Sequence, residues 1–112
     1  YKTLRMRIDL HTIEYSCSFS QENRFVAPCF DVKVKRVTGA GDAWNAGNII
    51  GELAGLPHIE RLLLANATAA YYIQDDAGKH PTKEDLINFM TKTKMKTMKV
   101  ENIIEGAEIK EV

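Results

Sequence analysis

The sequence predicts an α/β fold, with short strands first and three helices after them. Three observations predict it. Residues 6–35 alternate apolar with polar side chains over several stretches, the period-two mark of strands with one buried face. Residues 41–54 and 58–74 instead space small and apolar residues three and four apart, the helical period. Between the two regimes lies Thr38-Gly39-Ala40-Gly41-Asp42, where removal of side chains marks the passage from strand to helix.

A chain of 112 residues is one domain at most and buries a small core. Fifteen basic and fifteen acidic residues cancel, so nothing in the charge balance points to nucleic acid or a membrane surface. No apolar run reaches the roughly 20 residues of a membrane helix, and no signal peptide heads the chain. A cytoplasmic protein is expected. Cys17 and Cys29 lack metal-ligand spacing and read as reduced thiols.

Residues 6–19 are rich in β-branched and aromatic side chains. Ile8, Leu10 and Thr12 share one face, and Ile13, Tyr15, Cys17 and Phe19 the other, so one or two strands are expected. Ser20-Gln21-Glu22-Asn23 is a turn. Residues 24–27 make a short strand stopped by Pro28. Phe30, Val32 and Val34 alternate with Asp31, Lys33 and Lys35, which predicts a half-buried strand leading into the glycine turn.

The first helix should run from about residue 41 to 54, with Gly55 just past its end and Pro57 beyond. Ala43, Gly47 and Gly51 line one face of it. Each mid-helix glycine costs about 1 kcal/mol relative to alanine, so the close approach of another element should compensate. The second helix, about 58–74, offers a matching small stripe in Ala65, Ala69 and Ala70. Leu62, Leu63, Leu64 and Ile73 leave it little polar surface, so it should be buried. Residues 75–81 are a polar loop. Thr82-Lys83-Glu84-Asp85 resembles a capping box, with Asp85 in place of glutamate. The third helix then turns Leu86, Ile87, Phe89 and Met90 to the core. Residues 93–112 form a charged tail, with lysines (Lys94, Lys96, Lys99) before glutamates (Glu101, Glu105, Glu108, Glu111). Val100, Ile103, Ile104 and Ala107 fit a short helix or strand there. The lysine run reads as a solvated face.

The glycine turn carries the chemistry. Amides at a helix start have no intrahelical partner, and the helix dipole adds positive charge there. Without side chains over them, those amides admit an anion such as phosphate. Asp42 sets a carboxylate at the edge of the same site. A phosphate cradle beside a proton acceptor suggests phosphoryl transfer to a hydroxyl. The plainer reading is a tight turn that needs glycine, followed by a first-turn aspartate favoured by the dipole. His11, His58 and His80 have no spacing that suggests a metal site and read as structural or solvated. No metal ligands are assigned.

The run from Thr38 through Asp42 to Ala43-Trp44-Asn45-Ala46-Gly47 resembles the C-terminal signature of the ribokinase-like sugar kinases, the phosphofructokinase B-type family. The likeness continues through Leu64-Ala65-Asn66-Ala67-Thr68-Ala69-Ala70 and Gly78-Lys79-His80-Pro81-Thr82, covering about residues 10–92. It implies the C-terminal portion of a three-layer α/β/α fold. It implies ATP-dependent phosphorylation of a hydroxyl on a sugar, nucleoside or related small molecule, with Mg²⁺ bridging phosphates. Asp42 would be the general base. Gly39, Ala40 and Gly41 would form the anion hole. Thr38, Asn66 and Gly78 would belong to the nucleotide pocket, Asn66 near adenine or ribose; a buried asparagine bonded to a neighbouring loop is an equal reading. Thr82 reads as a cap, and Trp44, where phenylalanine is usual, as packing.

Members of the family are much longer and begin with a substrate-binding half. The chain, residues 1–112, is therefore expected to be a single partial domain, inactive alone. Homodimers in the family often form through a lid in that other half. Two departures stand out. Arg36 occupies the place of an aspartate that helps hold a monovalent cation in many members, so its guanidinium is expected to supply that charge. The upstream glycine turn of the family is replaced by Leu10-His11-Thr12-Ile13-Glu14-Tyr15, so its nucleotide contacts are not carried over. The alternative function is a non-catalytic nucleotide-binding or interaction module derived from the same family.

Overall fold

The computed structural model describes residues 6–97 and 110–111. The expected segment around Val100, Ile103, Ile104 and Ala107 lies outside the described residues, as does most of the charged tail. Three strands, β1 (Ile8–His11), β2 (Tyr15–Phe19) and β3 (Arg24–Pro28), form an antiparallel meander. The helices α1 (Ala40–Leu53), α2 (His58–Gln74) and α3 (Lys83–Lys92) follow. A two-residue strand, β4 (Lys110–Glu111), pairs parallel with β3. No helix among the described residues is long and apolar enough to cross a membrane.

Thr12 determines how the first strands fold back. Its hydroxyl accepts from the amides of Glu14 and Tyr15, and its own amide bonds the Tyr15 carbonyl. The side chain thus offers the backbone a turn in place of a continuing ladder. The reversal corrects the expected faces. Cross-strand partners point the same way, and Ile8 pairs with Phe19 and Leu10 with Cys17. The face turned to the helices carries Asp9, Ser16, Ser18, Phe25 and Ala27 instead. Ile8 and Leu10 remain half exposed.

Asp9 and Ser18 on that inner face are explained by Arg61, which is fully buried. Its guanidinium donates to Ser18 Oγ at 3.0 Å, Asp9 Oδ2 at 3.3 Å and the Asn48 side-chain oxygen, and meets His58 Nδ1 at 3.1 Å. Buried charges persist where they are paired and hydrogen-bonded. The network ties β1, β2, α1 and α2 together.

The helices sit nearly where their signals predict. The αL glycine past α1 is Gly55, at φ 73°. The capping box is complete, with Thr82 Oγ1 accepting from the Asp85 amide and the Asp85 carboxylate from the Thr82 amide. Gly47 and Gly51 are where α2 comes close. A Cβ on Gly47 would lie 2.9 Å from the Ala65 Cα, and one on Gly51 3.0 Å from the Arg61 Cγ. Ala65 serves that contact; Ala70 faces the other way, into a second cluster with Phe30, Ala67 and Phe89. A first cluster joins Ala27, Trp44, Leu62 and Ala65. Cys17 and Cys29 are free thiols.

The strand expected over residues 30–35 does not form. Phe30 makes one bridge, to Met95, and Asp31 bonds the Lys94 carbonyl. Beyond them the chain stays out of the sheet, because no neighbouring strand among the described residues takes up its amides. Lys35 and Arg36 instead donate their amides to the Ile73 carbonyl near the end of α2.

Candidate active site

The glycine turn enters α1 through Gly39, whose φ of 91° and ψ of −3° are left-handed. The Ala43 amide bonds the Gly39 carbonyl, which opens the helix. The Ala40 amide turns back onto the Val37 carbonyl at 3.1 Å. Among the described residues this leaves the amides of Gly39, Gly41 and Asp42 without a partner. Open donors at a helix start are of the kind that can receive an anion. The Asp42 side chain is exposed in the same first turn and caps nothing. Its carboxylate makes no hydrogen bond or ion pair among the described residues.

Three side chains surround the turn. His11, at the end of β1, stacks on Trp44 with ring centres 4.7 Å apart, and its Cε1 would lie 3.7 Å from a Cβ on Gly41. Tyr72, near the end of α2, donates its hydroxyl to the Thr38 carbonyl at 3.0 Å. His80, from the loop between α2 and α3, stacks on the Tyr72 ring at 4.9 Å. Arg36 holds that loop to the turn. Its Nη2 donates to the carbonyls of Asp75 at 2.9 Å and Asp76 at 2.5 Å, and its guanidinium lies over the Tyr72 ring. Gly78 is needed there twice. Its φ is 68°, and a Cβ on it would lie 2.8 Å from Arg36 Nη1.

The residues singled out in sequence do not all meet. Thr38, Gly39, Ala40, Gly41 and Asp42 are contiguous, and Gly78 joins them through Arg36 and Tyr72. Asn66 lies deeper. Its Oδ1 accepts from Trp44 Nε1 at 2.9 Å, and its Nδ2 donates to the carbonyls of Ala27 at 3.3 Å and Pro28 at 3.0 Å. Its amide is committed to structure. It supports the site indirectly, by orienting the Trp44 ring on which His11 stacks. An apolar cleft of about 360 Å³ opens beneath the helix start, lined by Phe30, Val32, Val37, Trp44, Ile73 and others. Tyr72 and His80 were not picked out as site residues in sequence. The available signal was Tyr71-Tyr72, two large phenols ending a helix otherwise rich in small residues. Among the described residues no three His, Cys, Asp or Glu side chains gather as a metal site.

A β-meander packed on two helices, with the first helix entered through a left-handed glycine, makes this an α/β architecture. Residues 14–85 match the model of the pfkB family of carbohydrate kinases, and the chain belongs to that family. It is 34% identical over 70 residues to the uncharacterized sugar kinase YegV of Escherichia coli (strain K12). That match covers 62% of this chain and 22% of the relative. The structure is similar to that of a nucleoside kinase of Methanocaldococcus jannaschii, an archaeal member of the ribokinase family, with a TM-score of 0.65 and 24% identity. The similarity covers 71% of this chain and 28% of that one, and shows the α/β fold to be a portion of the ribokinase fold.

Proposed function

We propose that this chain supplies the phosphoryl-transfer face of an ATP-dependent kinase acting on a hydroxyl of a sugar, nucleoside or related small molecule. The observation that carries the proposal is the pairing of three open amides, on Gly39, Gly41 and Asp42, with the free Asp42 carboxylate. Phosphoryl transfer asks mainly for positioning and for charge stabilisation. The amides would receive the charge developing on the transferred group, as an oxyanion hole does. Ala40 would serve by its lack of a bulky side chain, since its own amide is bonded to Val37. Asp42 would accept the proton of the attacking hydroxyl. Thr38 and Gly78 would border the nucleotide, and Asn66 would act through Trp44. The donor set fits Mg²⁺ held by nucleotide phosphates and water rather than by a protein cage; the ion would neutralise phosphate charge. Substrate contacts would come mainly from residues outside this chain, which makes the chain alone inactive.

Arg36 fits the same reading. It donates to two successive main-chain carbonyls, the oxygen type that a monovalent cation coordinates. A fixed guanidinium would then stand in for an ion beside the turn.

The test is Asp42→Asn in the kinase that contains this chain. Turnover should fall by about three orders of magnitude or more, while Mg–ATP affinity stays within about threefold. Turnover within tenfold of the parent would remove Asp42 from the role of base. Mg–ATP binding with no transfer to any sugar or nucleoside would favour a non-catalytic nucleotide-binding module.

A further inference from the structure

We propose that Tyr72 is a positioning residue for the glycine turn. Its hydroxyl holds the Thr38 carbonyl, so that the Asp42 amide stays open, and its ring ties the turn to the loop between α2 and α3. The inference rests on the kinase reading only for the identity of the anion that the turn receives.

The geometry is specific. In a helix each amide bonds the carbonyl four residues back, and the first such bond here runs from Ala43 to Gly39. One residue earlier, the Asp42 amide would take the Thr38 carbonyl and would no longer be open to a ligand. Two features prevent this. Gly39 is left-handed, which turns the Thr38 carbonyl off the helix axis. The Tyr72 hydroxyl then donates to that carbonyl at 3.0 Å. The seat is tight, since a Cβ on Gly39 would lie 2.6 Å from the Tyr72 oxygen. The ring is in turn fixed by the loop. His80 stacks on it with an interplanar angle of 16°, and the Arg36 guanidinium carbon lies 5.8 Å from its centre. Arg36 also grips the Asp75 and Asp76 carbonyls. Residues from the segment entering the turn, from the end of α2 and from the loop thus meet on one phenol. A displacement of the loop is passed to Thr38 through that ring.

Tyr72→Phe tests the proposal, because it keeps the ring and deletes one hydroxyl. Backbone amide resonances of the full chain are followed by ¹⁵N NMR. Signals of residues 38–42 should move and exchange faster, while those of α3 stay. Unchanged signals at 38–42 would overturn the coupling. Affinities for Mg–ATP and for AMP are then measured on the same samples. Mg–ATP should weaken by about fivefold, the scale of one hydrogen bond, with AMP within twofold. Equal weakening of both would mean a general structural role and would overturn the positioning claim. If the kinase that contains this chain binds no Mg–ATP while Tyr72→Phe still moves 38–42, the kinase reading fails and the link to the turn stands. Should Tyr72→Phe not fold, His80→Ala removes only the stacking partner. It should shift 38–42 from across the ring, and no shift would overturn the proposal.

Discussion

At the scale of single residues, the packing behind the glycine turn depends on Asn66, whose side-chain amide is fully engaged. Asn66 bridges an indole and two backbone carbonyls, with 2% of its surface exposed. Leaving a buried donor without a partner costs about 1–3 kcal/mol. Asn66→Ala strands the Trp44 indole N–H and two carbonyls together, so we expect at least about 2 kcal/mol lost in urea denaturation. A loss under about 0.5 kcal/mol would mean that the amide is dispensable to the fold. Arg36 leads to a second expectation. With a guanidinium already on the Asp75 and Asp76 carbonyls, Mg–ATP affinity should be the same in potassium and in choline chloride. Arg36→Asp should make it potassium-dependent. Strong potassium activation of the parent protein would sink the idea.

At the scale of elements, what the sequence revealed depended on the kind of signal. Helix ends were legible because their signals are local: Gly55 beyond α1, Pro57 before α2, and the capping box from Thr82 to Asp85 all act within one turn. The close approach at Gly47 and Gly51 was legible too, because a glycine inside a helix needs a reason. The strand faces were not. Alternation counts apolar residues, and here the inner face carries Asp9 and Ser18 because a buried arginine from α2 bonds them. No local pattern announces a contact between residues 9 and 61. The strand expected over 30–35 failed for the same reason, since its pattern was right but its pairing partner is not local. Within the site, the glycine turn and Asp42 were legible as a contiguous motif, whereas Tyr72 and His80 reach it only through the fold.

The Arg61 network has a measurable consequence at this scale. Burial by itself would raise the Asp9 pKa, but hydrogen bonds from Ser18 and Asn48 and the charges of Arg61 and Arg7 hold it below the usual carboxylate value. A carboxylate with a depressed folded pKa stabilises the fold above its unfolded pKa, about 3.9, and loses that contribution as pH falls through the folded value. The urea midpoint should therefore drop on acidification below about pH 4. Asp75, whose carboxylate accepts the Lys79 and Ala77 amides, shares the sign, as does Asp85, bonded to Thr82. Asp9→Asn isolates one contribution, since its midpoint should be lower at pH 7 and fall less steeply with acid. Parallel pH profiles for the two proteins would remove Asp9 from the account.

At the scale of the whole molecule, several large apolar side chains stand in solvent. Ile13 is 78% exposed, Val37 74% and Leu53 82%. Val37 borders the cleft of about 360 Å³ beside Val32 and Ile73. Along its rim the backbone of Val32, Lys33 and Val34 finds no hydrogen-bond partner among the described residues, although its side chains alternate as a strand's do. Unpaired backbone beside an apolar floor leaves that floor open to solvent. By itself the chain should therefore bind a hydrophobic dye such as ANS at neutral pH, while its far-ultraviolet circular dichroism still reports three helices. Val34→Asp and Val37→Asp together should reduce that binding without loss of helix, because both side chains line the cleft and both are more than half exposed. A chain that binds no dye would instead show the cleft closed in solution, and the unpaired edge above it would then have to be satisfied from within the chain.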